Sequence, residues 1–164
     1  MSPKHGVGII GHNHPYWFVS GIGAVFAGGL SCGIYTTSSA DTVKYICQHA
    51  PLDILVLQDG LMLEQLLQKE SGIGQIVKKF VLMEGSTEGK YDNVLTWEEL
   101  LESGKSVSDE VLKEKEDQQA ANEACLLIYT SGTTGPPKGK SKIDSKVISV
   151  KFEPIISSSC NDQS

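Results

Sequence analysis

Residues Ala124-Cys125-Leu126-Leu127-Ile128-Tyr129-Thr130-Ser131-Gly132-Thr133-Thr134-Gly135-Pro136-Pro137-Lys138-Gly139 decide how the chain is read. The apolar run from Ala124 to Ile128 empties into glycines, hydroxyls and prolines, the order of a buried strand opening into a phosphate loop. Gly132, Gly135 and Gly139 let the backbone take positive φ and come close to a ligand. Around them Thr130, Ser131, Thr133 and Thr134 supply hydroxyl donors, and Lys138 adds the one charge. Pro136 and Pro137 fix φ and remove two donors, so the turn is stiff beforehand and loses less ordering entropy on binding. Such a loop suits polyphosphate.

Two competing readings of the stretch fail on spacing and order. Gly139-Lys140-Ser141 supplies the end of a Walker loop, G-x-x-x-x-G-K-[ST], but counting back from Gly139 puts the first required glycine at Thr134, one residue away from Gly135. A plain surface turn has this composition too, yet eleven consecutive residues in this order, 129 to 139, are far more specific than a lone glycine pattern.

Residues 129 to 139 resemble the phosphate-loop signature of the adenylate-forming enzymes, the superfamily of acyl-CoA synthetases, luciferases and peptide-synthetase adenylation domains. Upstream, Gly11-His12-Asn13-His14-Pro15-Tyr16-Trp17-Phe18, Phe26-Ala27-Gly28-Gly29 and Gly33-Ile34-Tyr35-Thr36-Thr37-Ser38 resemble the long-chain acyl-CoA synthetases, closest to the bubblegum type. The resemblance runs from about residue 7 to residue 139.

Composition bounds the rest. With 164 residues and 40% hydrophobic content the chain suffices for one domain, or part of one, with a real core. Its net charge is −6 and all fourteen basic residues are lysine, so no arginine is present for bidentate contacts to phosphates or base edges. Nucleic acid is not an expected partner. Cys32, Cys47, Cys125 and Cys160 form no C-x-x-C pair, which suits a reducing compartment and buried, hydrophobe-like thiols.

In chain order, Gly6-Val7-Gly8-Ile9-Ile10-Gly11 fits G-x-G-x-x-G, but the dinucleotide fingerprint needs a strand before it, and here Val7 to Ile10 is itself the strand. His5, His12 and His14 lie close in sequence without a carboxylate or cysteine beside them, so no metal set is read there. Asn13 or His14 caps a helix with Pro15 in its first turn. No charge occurs from Pro15 to Ala40, yet five glycines interrupt the run. Its helical part, Tyr16 to Ala27, is about twelve residues where a membrane span needs about twenty. Neither a span nor a secretory leader is expected, so the reading is cytoplasmic, with peripheral membrane association open.

Strands are predicted at Val7–Ile10, Leu30–Tyr35, Ile54–Leu57, Ile76–Met83 and Cys125–Tyr129. Between them Val43, Ile46, Cys47 and Ala50 give a helix from Ala40 to His49. His49, at its end, reads as a cap or core residue. Leu61, Leu63, Leu66 and Leu67 give another helix an apolar face. Gly85 to Gly89 marks a loop. Thr96-Trp97-Glu98-Glu99 is a capping box for a helix ending near Gly104, and Ser108 or Asp109 opens a last helix. The charge run Lys113 to Asp117 reads as its solvated end and a linker. Alternation of this kind predicts an α/β fold with a largely parallel sheet and ligands at the carboxyl edges of its strands.

The tail departs from the family. Lys140-Ser141-Lys142-Ile143-Asp144 stands where relatives carry an apolar segment, and seven serines fall between 141 and 164. Residues 1–139 therefore read as a partial AMP-binding (adenylation) domain and 140–164 as a divergent, disordered tail, as an altered transcript end would produce.

What the resemblance implies is adenylation: a long-chain fatty acid carboxylate attacks the α-phosphate of ATP, pyrophosphate leaves, and coenzyme A takes the acyl group as a thioester. It assigns Thr130, Ser131, Gly132, Thr133, Thr134, Gly135, Lys138 and Gly139 to the phosphates, with Thr133 and Thr134 near magnesium-pyrophosphate. It assigns no catalytic residue to this chain, because the family's adenine contacts, magnesium-serving glutamate, acyl tunnel and mobile C-terminal lysine follow well beyond the loop. Positioning of reactants can supply about 7–11 kcal/mol of a barrier reduction. The expectation is a shortened fatty acid–CoA ligase, inactive by itself. The alternative is a non-catalytic α/β fragment that binds anions weakly or pairs with a full-length ligase.

Overall fold

The computed structural model describes residues 5–67, 72–120 and 124–129. In chain order the elements are β1 (Gly6–Ile10), α1 (Pro15–Phe26), β2 (Leu30–Ile34), α2 (Ala40–His49), β3 (Leu52–Leu57) and α3 (Gly60–Leu67). Then follow α4 (Ile73–Ile76), β4 (Lys79–Leu82), β5 (Val94–Thr96), α5 (Trp97–Gly104), α6 (Asp109–Asp117) and β6 (Leu126–Ile128). The strands form one sheet in the order β5-β4-β3-β1-β2-β6, and every neighbouring pair is parallel. The chain leaves β1 toward β2 on one side, then returns to place β3 on the other. That reversal puts a topological switch point between β1 and β3, where open α/β sheets take ligands beyond their carboxyl ends.

Side chains alternate between two apolar clusters, as the period of two requires. Leu55, Leu57, Phe80 and Leu82 pack with Val43, Ile46 and Cys47 of α2 and Leu63 and Leu66 of α3. Val56, Val81 and Met83 point the other way, to Ala24 of α1 and Trp97 of α5. Burial on both faces explains why Ile54–Leu57 of β3 reads as an unbroken apolar run. Within β1 the near face must be empty: a Cβ at Gly8 would stand 2.7 Å from Leu55 Cδ1 and 2.8 Å from Leu52 Cδ1. Gly6 and Gly8 are thus packing positions inside the strand, and the G-x-G-x-x-G match is accidental.

The capping signals hold where they were read. His14 rather than Asn13 caps α1, its Nδ1 accepting from the Tyr16 N–H at 3.2 Å, with Pro15 in the first turn. Ser39 caps α2. Thr96 and Glu99 complete the capping box in both directions: Thr96 Oγ1 accepts from Glu99 N at 3.2 Å, and Glu99 Oε2 accepts from Thr96 N at 2.8 Å.

Several element ends shift by one or two residues, and three readings differ by more. The run Ile76–Met83 is not one strand: Gly72 at φ +67° starts the helical turn α4, Val77 turns the chain back to extended backbone, and β4 begins only at Lys79. The strand β5 was not foreseen, since Val94-Leu95-Thr96 is too short to show a period; it exists by pairing with Phe80, Val81 and Leu82. Lys113 to Asp117 is helix to its last residue, exposed along α6 rather than released into a linker.

Candidate functional site

At one edge of the sheet β6 is held through Ser31↔Leu126, Cys32↔Leu127 and Gly33↔Ile128, and Ser31 N donates to Cys125 O at 2.9 Å. β2 in turn is seated against α1, where a Cβ at Gly33 would come within 3.1 Å of Trp17 Cζ2. The register ends at Ile128, which leaves Tyr129 at the carboxyl edge of the sheet.

Tyr129 turns its ring inward. It is 6% exposed and belongs to the α2-side cluster, and its hydroxyl lies 2.7 Å from His49 Nδ1. Burial, with the nearby Cys32, Tyr45 and Cys47, pushes its phenol up to about 12. The phenol therefore keeps its proton at neutral pH. Cys32 and Cys47 are each pushed up to about 12, by burial first, so neither thiol is a nucleophile here.

A second set of groups lines the carboxyl ends of β1, β3 and β4. An open cavity of about 490 Å³ is bounded by Gly11, His12, Asn13, His14, Trp17 and Phe18. His12 N donates to Gln58 Oε1 at 3.0 Å, bridging the ends of β1 and β3 at the switch point. His14 Nε2 is 3.3 Å from Glu84 Oε1 beyond β4. Because His14 Nδ1 accepts the cap, its proton sits on Nε2 and faces the carboxylate.

The three early histidines are separated. His5 precedes β1 at the amino edge, with its Nδ1 2.8 Å from Asp53 Oδ2, while His12 and His14 stand at the carboxyl edge. Carboxylates do reach two of them, Asp53 and Glu84, which sequence distance concealed. Among the described residues no group of three or more His, Cys, Asp or Glu could hold a metal ion. No helix among them is long and apolar enough to cross a membrane.

The sequence-predicted phosphate residues Thr130, Ser131, Gly132, Thr133, Thr134, Gly135, Lys138 and Gly139, and the tail 140–164, lie outside the described residues. The structure describes the root from which they leave. His49 was the missed contributor there. It is neither cap nor core but an exposed ring bonded to Tyr129, a contact spanning 80 residues of sequence that no local signal could reveal.

Residues 1–140 match the family described as AMP-binding enzyme. The chain belongs to that family. Among curated relatives, the long-chain-fatty-acid–CoA ligase ACSBG2 of Xenopus laevis is 40% identical over 135 residues, covering 82% of this chain and 18% of its own. The long-chain-fatty-acid–CoA ligase ACSBG1 of Rattus norvegicus is 42% identical over 139 residues, covering 85% and 19%. The chain thus spans about a fifth of the length of the relatives it matches. Among solved structures, coronafacic acid ligase from Pectobacterium brasiliense superposes with a TM-score of 0.60 at 19% identity, over 77% of this chain and 24% of that one. Brucella canis acyl-CoA synthetase gives 0.61 at 12% identity, over 92% and 24%. These two likenesses establish the fold, a parallel sheet flanked by helices.

Proposed function

We propose that this chain carries the phosphate-binding segment of a long-chain fatty acid–CoA ligase. The supporting observation is the parallel docking of β6 on β2, which brings Tyr129 to the carboxyl edge of the sheet directly before the glycine- and hydroxyl-rich run 130–139. The identities near 40% to long-chain ligases, with the family match over residues 1–140, favour the same substrates: ATP, a long-chain fatty acid and coenzyme A. Residues 1–139 are the AMP-binding part in this reading, and 140–164 stand apart from it.

The chemistry divides accordingly. A carboxylate oxygen attacks the α-phosphorus of ATP, the bond to the β-phosphate breaks, and the electron pair leaves with pyrophosphate. Thr130, Ser131, Thr133 and Thr134 hydroxyls, the amides of Gly132, Gly135 and Gly139, and the Lys138 ammonium would hold the departing phosphates and offset their growing charge. Thr133 and Thr134 are the residues we propose would lie nearest to magnesium, which would supply charge neutralisation to the same phosphates. The thiol of coenzyme A then displaces AMP from the acyl carbonyl. No described residue is given a bond-making role.

By itself, the 164-residue polypeptide is proposed to bind phosphates without turning over. Titration with pyrophosphate should show weak saturable binding that Lys138→Ala abolishes. With ATP, magnesium, a long-chain fatty acid and coenzyme A it should release no pyrophosphate above background. Absence of Lys138-dependent binding would remove the phosphate-loop assignment; turnover lost in Lys138→Ala would instead make the segment catalytic alone.

A further inference from the structure

We propose that α1 pairs with α1 of a second copy of this chain, antiparallel about a two-fold axis at Ile22. The pairing goes beyond the ligase reading, since it concerns how copies associate rather than what they bind.

The outer side of α1 carries a row at i, i+4 and i+8, namely Phe18, Ile22 and Phe26, flanked by Val19. Phe18 is 68%, Val19 50% and Phe26 51% exposed, with Ile22 half-buried between them. No charged residue occurs from Pro15 to Ala40. Beside the row, a Cβ at the exposed Gly23 would meet nothing within 4 Å, which leaves a hole for an incoming side chain. In a chain of net charge −6, this uncharged ridge is where two copies meet without repulsion.

Symmetry favours a second copy over any other occupant. An isologous contact sets residue i against j and j against i. Phe18 and Phe26 lie four residues either side of Ile22, so antiparallel helices place Phe18 on Phe26 of the second copy and Ile22 on its own counterpart. The polar groups at the two ends of the ridge complement each other as well. Beside Phe26 stands the end of α6, tied there by Gln119 Nε2 donating to the Phe26 carbonyl at 3.2 Å. α6 carries five carboxylates against two lysines and has no buried residue. A helix of this length, so exposed, is marginal in water without a surface to lie on. Before Phe18 stands His12, whose exposed ring has no hydrogen bond or ion pair among the described residues and can donate to a carboxylate. Antiparallel pairing brings α6 of one copy to His12 of the other. Covering the four ridge side chains on both copies buries on the order of 800 Å². The α6 and His12 rims bring the total toward the roughly 1,000 Å² at which specific interfaces begin. The dimer is therefore weak, with a dissociation constant on the order of 0.1 mM.

Sedimentation equilibrium of the 164-residue chain, from micromolar to about half-millimolar, should show monomer and dimer and nothing larger, with circular dichroism on the same samples to establish that each variant is folded. Ile22→Lys sets two ammonium groups on the axis, and Phe18→Glu sets a carboxylate against Phe26 of the second copy. Each should weaken association by about tenfold or more. The double variant Phe18→Glu/Phe26→Lys should recover to within about threefold of wild type at low salt, because in the antiparallel register each new carboxylate faces a new ammonium. A ridge that is merely sticky would not be rescued in this way. Phe18 and Phe26 lie on the surface, so these two changes remain informative if Ile22→Lys folds poorly. His12→Glu, facing the carboxylates of α6, should weaken association by about threefold, and His12→Lys should strengthen it by about as much. Wild-type protein that stays monomeric at the highest concentration, a double variant no better than Phe18→Glu, or equal association of His12→Glu and His12→Lys would each overturn the pairing. Monomeric protein that instead floats with phosphatidylcholine vesicles in a Phe18-dependent manner would overturn it too, and would assign the ridge to lipid.

Discussion

Tyr16 and Trp97 stack face to face, ring centroids 4.1 Å apart and planes 9° from parallel. The contact ties the first turn of α1, which leaves the switch-point loop, to the first turn of α5, which leaves the edge strand β5. His14 adds an edge-on contact to the same tyrosine at 4.7 Å. One aromatic column thus joins the carboxyl ends of β1 and β5 over the face carrying Val56, Val81 and Met83.

Trp97 is 4% exposed, so cutting it back to alanine leaves a cavity as well as a lost stack. Trp97→Ala should lower unfolding free energy by about 3–5 kcal/mol. Tyr16→Phe keeps the ring and should cost less than about 1 kcal/mol. Urea unfolding followed by far-ultraviolet circular dichroism measures both. A loss below about 1 kcal/mol in Trp97→Ala would mean that α5 is not anchored through this residue.

Acid should act through the amino edge of the sheet. Asp53 sits between His5 at 2.8 Å and Lys78 at 3.1 Å, with its side chain 14% exposed. Burial pulls the carboxyl up, but the hydrogen bonds from His5 and Lys78, and then their charges, outweigh it and hold Asp53 below its ordinary value. A folded value below the unfolded one contributes stability that is present above the unfolded value of about 3.9 and is lost as pH falls through the folded value. Stability measured from pH 6 down to pH 2 should therefore fall less steeply below pH 4 in Asp53→Asn than in wild type. Parallel curves would show that the triad is not linked to folding.

How much of this was legible follows the range of each interaction. Thr96 and Glu99 were readable because caps act within three residues, and β3 because burial on both faces writes the apolar run Ile54–Leu57. The turn at Ile73–Ile76 and the strand Val94–Thr96 were not, since a left-handed Gly72 and a three-residue pairing leave no periodic trace. The proposed phosphate loop shows in the sequence as an ordered string of residue types. The His49–Tyr129 contact does not, because it depends on β6 crossing the whole sheet to lie beside β2, which places partners 80 positions apart.

Gly8 offers a check on the accidental glycine motif. Leu55 is fully buried and Leu52 is 1% exposed, so neither can retreat from an added methyl group. Gly8→Ala should destabilise the fold by about 1–3 kcal/mol in urea titration, while pyrophosphate affinity at 10 °C stays unchanged. A selective loss of affinity with unchanged stability would return Gly8 to ligand binding.

The buried thiols report on the stability of the layer beneath the loop root. Cys32 and Cys47 are fully buried on the β2 and α2 sides of the cluster that also holds Tyr129, and burial lifts each to about 12. Only the thiolate attacks an alkylating reagent, so at pH 8 both are disfavoured twice, by access and by protonation. Iodoacetamide labelling, mapped by mass spectrometry, should leave both unmodified in native buffer over hours. Urea should release them together, with the free energy of global unfolding, because β2 and α2 lie in one packed layer and open only when that layer opens. Cys47 reacting ahead of Cys32, at a rate insensitive to denaturant, would mean that α2 detaches locally from the sheet. That outcome would also deprive Tyr129 of a fixed hydrogen-bond partner, since the imidazole of His49 rides on the same helix.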